Sequence, residues 1–452
     1  MKRTFAASAS LLALSVASAQ AGGHVMSAAD LQDALNGGGV VVVTGDVTTD
    51  ATLTYEGSAP LALIGTGQTI TITENADVFA VLNGANVTIQ GLNFVGPGGY
   101  SISARGDGTG AAGKGIFVRV PDTAIGTVAV ALSDVTVSGV ANHGIHVSDC
   151  SLADACGSGG GGAGEGSAAS IAVTLNDVTV TDAGNGKFDA DGLRVDERGA
   201  GSIHFAATNA TFVNVGADGI ELDEGQAGDV IATALNLTAV TNGNYCDPAI
   251  LTAFLPNPAE AEFAAGALAE ADAPAAITGS PDDSCIEREV SLHDDGTVEE
   301  YAFGLDLDDG FDIDEAGPGS IHAAFILGDI TGNLDEGLDF DEEDAGDIRL
   351  SLNALSADGN TDDAVKLSEE GPGDVIADVI AGRVTGNGGK GYVFEEADAG
   401  DLIATVTKTE AAGNDDSDDT GIEAVQEDAG AGALFVTGPV ADGIDLDGVT
   451  LK

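Results

Sequence analysis

Acidic pairs recur through this chain at a fixed spacing. Asp196-Glu197, Asp223-Glu224, Asp314-Glu315 and Asp341-Glu342 share one register, and Ser368-Glu369 and Glu395-Glu396 continue it. Acidic oxygens gathered in this way suit hard cations, calcium above all, which takes several oxygen ligands with loose geometry. A second constellation is basic. Arg105, Lys114, Arg119, Lys187, Arg194 and Arg198 fall within one hundred residues, together with His143, His146 and His204, in a chain with only 15 lysines and arginines. A base beside cation-binding carboxylates is what proton abstraction from a metal-neutralised acidic substrate requires. Arg194 and His146 are the candidates for catalysis. Asp196, Glu197, Asp223, Glu224, Asp314, Glu315, Asp341 and Glu342 are the candidate calcium ligands. The competing role for Arg194 is that of a counter-charge relieving repulsion among stacked acids, as Lys366 would do beside Asp339.

Residues so far apart meet only if the chain stacks them, and a repeat supplies the means. Gly192 and Gly219 are 27 residues apart, as are Gly310 and Gly337, Gly337 and Ala364, and Ala364 and Gly391. Each opener precedes two apolar positions separated by one residue: Leu193/Val195, Ile220/Leu222, Phe311/Ile313, Leu338/Phe340, Val365/Leu367 and Tyr392/Phe394. A second glycine follows nine residues after the opener, as in Gly201, Gly228, Gly319, Gly346, Gly373 and Gly400. An Asn-Gly or Gly-Asn turn closes most units. Alternation with period two is the strand signal, and turn residues punctuate it. A repeat of this length built of strands and turns predicts a solenoid.

Strand alternation sends the residues two and four after each opener outward. The second position then reads His146, Arg194, Glu221, Asp312, Asp339, Lys366, Val393, Glu423, and the fourth reads Ser148, Asp196, Asp223, Asp314, Asp341, Ser368, Glu395. The fifth gives Asp149, then Glu197, Glu224, Glu315, Glu342, Glu369 and Glu396. Carboxylates one coil apart repel by about 1 kcal/mol per neighbour in water. Without a cation their pKa values should therefore be raised; a bound divalent ion would lower them. Further openers at Gly115, Gly144, Gly421 and Gly443 bring the expected total to about a dozen coils, a rod on the order of 60 Å long.

Composition agrees with a solenoid. The chain carries 74 acidic and 15 basic side chains, a formal charge of -59, yet 43% of its residues are hydrophobic, ordinary for a folded protein. It has 66 glycines, no Trp and 4% aromatics, so its core must come from stacked aliphatic ladders. Such a surface repels nucleic acid and attracts cations. High-salt adaptation would give the same composition.

Residues 1–19 read as a secretory signal: Lys2 and Arg3, an apolar run through Leu11, Leu12, Leu14 and Val16, then Ala17-Ser18-Ala19 for cleavage. No later stretch has the roughly 18 apolar residues of a membrane span. The expected product is secreted: extracellular, at the cell surface or periplasmic. Residues 20–114 form an N-terminal cap and first irregular coils. Ser27 caps a short helix with Leu31 and Leu35 on one face, stopped at Gly37. Strands follow, among them Val87-Thr88-Ile89-Gln90-Gly91-Leu92-Asn93-Phe94.

This capping helix, Gly-rich turn and strand pair resemble the start of the pectate-lyase-like superfamily of right-handed parallel β-helix proteins. The resemblance is one of architecture and covers nearly the whole mature chain. It implies an all-β, single-stranded right-handed parallel β-helix and an association with polysaccharide. In lyases of this kind a basic side chain takes the sugar C5 proton while calcium held by acidic residues neutralises the uronate. The catalytic motifs do not transfer. Arg119-Val120-Pro121 resembles an Arg-x-Pro-x-x-Arg run, but Ala124 stands where the second arginine belongs. Asn360-Thr361-Asp362 resembles a polygalacturonase element, but no His-Gly follows it; His143-Gly144 comes earlier.

The helix proper, residues 115–452, is expected to carry insertions at 150–166 and 245–300. The first holds Cys150 and Cys156; the second holds Cys246 and Cys285 and a helix-like AEAEFAAGALAEA run after Pro258. In an exported protein these suggest Cys150–Cys156 and Cys246–Cys285 disulfides. Three functions compete. One is a non-enzymatic, surface- or polysaccharide-associated protein binding divalent cations. The second is a calcium-assisted polysaccharide lyase or other carbohydrate-active enzyme, and the third a structural or adhesive rod.

Overall fold

The computed structural model describes residues 27–100, 112–150, 166–187, 189–243, 261–269, 288–292, 297–303, 307–415, 419–427, 429–438 and 440–452. Short apolar strands of this kind cannot bury themselves singly, so the chain winds and lays each on its equivalent one coil before. A five-residue strand such as Leu193–Glu197 enters a 12-stranded parallel sheet, and a longer one such as Ile203–Val213 enters a 16-stranded sheet. In both sheets the strands follow one another in chain order, each pairing with the coils on either side. One strand of the first sheet per coil makes twelve coils, as expected. Parallel strands joined by crossovers wind with the right hand. The protein is a right-handed parallel β-helix.

The long strands bend once per coil. Asp177, Asn209, Asn236, Leu327, Ala354 and Ala381 occupy equivalent places at φ between 53° and 58°. Asn and Asp tolerate this left-handed region; for Leu327 and the alanines it costs about 1 kcal/mol each. Coil stacking must hold it.

The interior is an unbroken aliphatic and phenylalanine column. Leu193, Val195, Ile220, Leu222, Phe311, Ile313, Leu338 and Phe340 are wholly buried. At one corner Asn333, Asn360, Asn387 and Asn414 stack as a second ladder. Asn360 Oδ1 accepts from the backbone N–H and the Nδ2 of Asn333, 3.0 Å each, and Asn387 serves Asn360 in the same way. The second glycine of each repeat is a matter of space, because a Cβ on Gly373 would lie 1.4 Å from the carbonyl oxygen of Gly346. No other residue fits there.

The first coil is closed by the helix Ala28–Gly37, whose Leu31 and Leu35 are buried against the core. Ser27 Oγ accepts from the Asp30 amide at 3.2 Å, and Gly38, at φ 62°, ends the helix. Register survives the long excursion after residue 243: Glu221 pairs with Asp312 and Val230 with Ile321. Within that excursion the helix expected near residues 259–271 is not found among the described residues. Ala261–Glu262 is instead a strand, pairing with Val298–Phe303, which in turn pairs with Arg288–Leu292. Gly266 turns the chain at φ 81°, and strand pairing overrides the local helix preference of the alanines. No helix among the described residues is long and apolar enough to cross a membrane. Cys150 is disulfide-bonded. Cys156, Cys246, Cys285 and the segment read as a signal lie outside the described residues.

Candidate functional site

The outer face of the 12-stranded sheet gathers the charged columns. His146, Arg194 and Glu221 follow one another in register, as do Ser148, Asp196 and Asp223. These columns are buried too, and it is orientation that divides them from the glutamates. Glu197, Glu224, Glu315, Glu342, Glu369 and Glu396 have no solvent exposure at all. This corrects the expectation that Glu197, Glu224, Glu315 and Glu342 join the aspartates around surface calcium. The alternation that turns Arg194 and Asp196 outward turns Leu193, Val195 and Glu197 inward.

Arg194 lies at the centre of one half of the face and is buried. Its Nε donates to Asp196 at 2.6 Å; Nη1 meets Asp189 at 3.1 Å, Asp191 at 3.4 Å and Glu221; Nη2 meets Asp223 at 3.3 Å. Arg198 also pairs with Asp223. Although burial opposes its charge, the surrounding carboxylates push the Arg194 pKa well above the usual arginine value. Arg194 is thus a fixed cation, the counter-charge of this cluster. Asp196, opposed by burial but held by Arg194 and His146, falls below the usual carboxylate range. Both candidate calcium ligands here, Asp196 and Asp223, already have protein cations.

Three other groups sit nearer neutrality. Lys114 Nζ is 2.5 Å from His146 Nδ1, and His146 Nε2 is 2.6 Å from Asp196 Oδ2. The lysine donates to the neutral imidazole, which donates to Asp196. Lys114 also lies 4.3 Å above the centre of the Phe117 ring. Burial lowers Lys114 to about 8 and His146 to about 4, and raises Asp191 to about 7.

The residues immediately before the openers were not singled out in the sequence. Asp191 Oδ1 accepts from the Asp218 amide at 3.2 Å, Asp218 from Asp309 at 2.5 Å, and Asp309 from Glu336 at 2.7 Å. Each side chain caps the amide of the next coil, so its second oxygen remains for the outer face. Their common place before Gly192, Gly219, Gly310 and Gly337 was the available signal.

Beyond Arg194 the compensation runs out. Asp309, Glu336 and Asp339 place oxygens within 4.8 Å of one another, all three residues buried. Lys366 Nζ reaches Asp339 Oδ2 at 2.7 Å and Glu336 only at 4.0 Å. Asp339 Oδ1 is buried without a hydrogen-bond partner. Burial and neighbouring acids raise Asp309 and Glu336 well above the usual range; burial raises Asp339. Hard oxygens at this spacing, one of them lacking a donor, fit a hard divalent cation. Asp314 and Asp341 stand on the adjoining outer column; burial, with neighbouring acids, raises both.

No family model and no curated protein matches the chain. Among solved structures it is similar to the full-length tailspike protein 2 of an Escherichia coli O157:H7 bacteriophage, with 12% identity and a TM-score of 0.40 over 84% of this chain and 40% of that one. It is also similar to the enzymatically active domain of bacteriophage CBA120 tailspike protein 2, with 11% identity and a TM-score of 0.38 over 84% and 44%. The chain thus spans less than half the length of either. At these scores the likeness says nothing about activity. What the strand order and the coil register establish is architecture: a right-handed parallel β-helix.

Proposed function

We propose that this is a cation-binding parallel β-helix working outside the cell, non-enzymatic, whose calcium-loaded acidic face associates with acidic polysaccharide. The observation that carries this reading is the trio Asp309, Glu336 and Asp339, three buried carboxyl groups that share one lysine, Lys366, with a buried oxygen that lacks a donor. Three carboxyl groups that close need protons or a cation, and calcium supplies more charge than Lys366 alone. A row of bound calcium ions would in turn present open coordination positions to a polymer of uronates, whose carboxylates repeat along a chain as the coils repeat along the rod. A formal charge of -59 disfavours nucleic acid as a partner.

The test is thermal melting in chelator, in millimolar calcium, and in sodium chloride at matched ionic strength. A ligand of the native state raises the melting temperature with concentration. Calcium should therefore give a gain well beyond sodium, and the gain should vanish in Asp309→Asn/Glu336→Gln while surviving in Asp378→Asn, which is exposed on the other sheet. Identical curves in the two salts would leave only screening and end this reading.

A second reading is favoured by Lys114. If the protein is a lyase, the group able to take a proton near neutrality is Lys114, at about 8, with His146 and Asp196 behind it, since Arg194 is held as a cation. Release of unsaturated product from uronate polymers, lost in Lys114→Met but not in Asp378→Asn, would establish it.

A further inference from the structure

Six glutamates run up the inside of the solenoid on neighbouring coils. Glu197 pairs in register with Glu224, Glu224 with Glu315, Glu315 with Glu342, Glu342 with Glu369, and Glu369 with Glu396. Backbone amides reach some of their oxygens: Gly199 to Glu197, Gly228 to Glu224, Gly317 to Glu315 and Gly371 to Glu369, at 3.0–3.2 Å. Glu197, Glu315 and Glu369 each keep one buried oxygen without a donor, and Glu342 and Glu396 keep both. Those oxygens face the carboxyl groups of the next coil. The charged groups acting on the column are acidic as well: Asp149 beside Glu197, Asp344 beside Glu342, and Asp374 and Asp398 beside Glu396. Arg198, the nearest arginine in sequence, turns its side chain to Asp223 on the outer face. A stack of buried carboxylates with no cation beside it among the described residues, and with fewer donors than oxygens, cannot stand fully ionised. The one donor that fits between two such oxygens is a carboxyl O–H.

We propose that the interior glutamates form a proton-sharing ladder, in which Glu197, Glu315 and Glu369 are neutral carboxylic acids donating to Glu224, Glu342 and Glu396, and that the rod needs these bound protons to stay folded. The end of the column carries the same logic in its residue type. The next coil places Gln426 opposite Glu396, a neutral side chain of the same shape, whose Nε2 donates to the Glu427 carbonyl at 3.2 Å. Its Oε1 accepts from the Leu402 amide at 2.9 Å. Burial, reinforced by neighbouring glutamates, raises Glu197 to about 9, Glu315 to about 11 and Glu369 to about 9, whereas Glu342, which accepts, rises only to about 7.

A carboxyl raised in the fold contributes stability that is complete below its unfolded value of about 4.3 and is lost as pH rises through the folded value. The ladder therefore makes the rod most stable in acid, with that stability lost progressively from about 4.3 until the donors' folded values of about 9 to about 11 are passed. The experiment uses the full chain with Glu197→Gln, Glu315→Gln and Glu369→Gln combined. The variant should melt above the wild type at pH 7, where the wild-type fold holds protons that its unfolded chain releases, and its alkaline unfolding midpoint should move up by about one pH unit. Its infrared spectrum at pH 8 should lose carboxylic-acid C=O intensity that the wild type shows. An unchanged alkaline midpoint, or no loss of that band, overturns the proposal. Should the triple variant not fold, Glu369→Gln alone carries the same two readouts, against Glu369→Ala, which should melt lower at every pH.

Discussion

Removing the Arg194 guanidinium tests whether it is a counter-charge or a base. The side chain is 1% exposed and meets carboxylates of five residues: Asp189, Asp191, Asp196, Glu221 and Asp223. Breaking a buried ion pair by deleting one partner costs about 3–5 kcal/mol, because the remaining charge is left uncompensated. Arg194→Ala strands several, so the upper end of that range applies near pH 8. With unfolding entropy proportional to length, cooperative melting of the rod would shift by about 5 °C. The sign with pH follows from the same groups. Burial already raises Asp191 to about 7 and Asp223 to about 6, and it raises Glu221 well above its usual range. Losing the cation raises them further, and a raised carboxyl is stabilising in acid and destabilising once pH passes its folded value. If two of them rise by one unit each, the variant's deficit shrinks by about 2.7 kcal/mol between pH 8 and pH 5. Denaturant midpoints followed by circular dichroism at both pH values measure this. A deficit that does not depend on pH would refute the account. An unchanged fold with loss of unsaturated product would instead make Arg194 the base.

Asn360→Ala should lower stability by about 2–3 kcal/mol, since it strands the buried Asn333 amide, which donates to Asn360 Oδ1 at 3.0 Å; faster hydrogen exchange at Asn333 in the variant than in the wild type checks it. Non-reducing peptide mapping should recover Cys150–Cys156 and Cys246–Cys285, the second closing a span that stabilises by a few kcal/mol. Finding Cys150 joined to Cys285 would refute that pairing.

The fold was legible because spacing and alternation are backbone properties, and a solenoid repeats them without tertiary surprises. The opener glycines and the apolar pairs behind them fixed the coil register, and with it the order His146, Arg194, Glu221. The glutamate column was misplaced for a different reason. Its parity relative to Val195 already pointed inward, but glutamate is so rarely buried that residue type outweighed position. The asparagines were visible as turn residues, yet their stacking onto one another exists only once coils are superposed. The bends at Leu327 and Ala354 left no trace in the sequence, because neither residue favours the left-handed region the coil imposes on it. Asp309 and Glu336 were not legible as neighbours of Asp339 because they precede the opener glycines, outside the strand alternation that orders the columns.

Proton and calcium are alternative answers to the same crowding of carboxyl groups, and this fold separates them by three residues of one strand. Asp339 faces outward, 9% exposed, and its buried Oδ1 lacks a donor. Glu342, three residues on in the same strand, faces an interior that excludes hydrated cations, so only a proton can reach it. Calcium should therefore act on the outer face and leave the inner ladder untouched. The variant with Gln at positions 197, 315 and 369 ought to keep the whole calcium gain in melting temperature while losing the alkaline sensitivity. Asp309→Asn/Glu336→Gln ought to do the reverse. A ladder variant that lost its response to calcium would mean that the two columns are one ionic system, with protons inside released when cations bind outside.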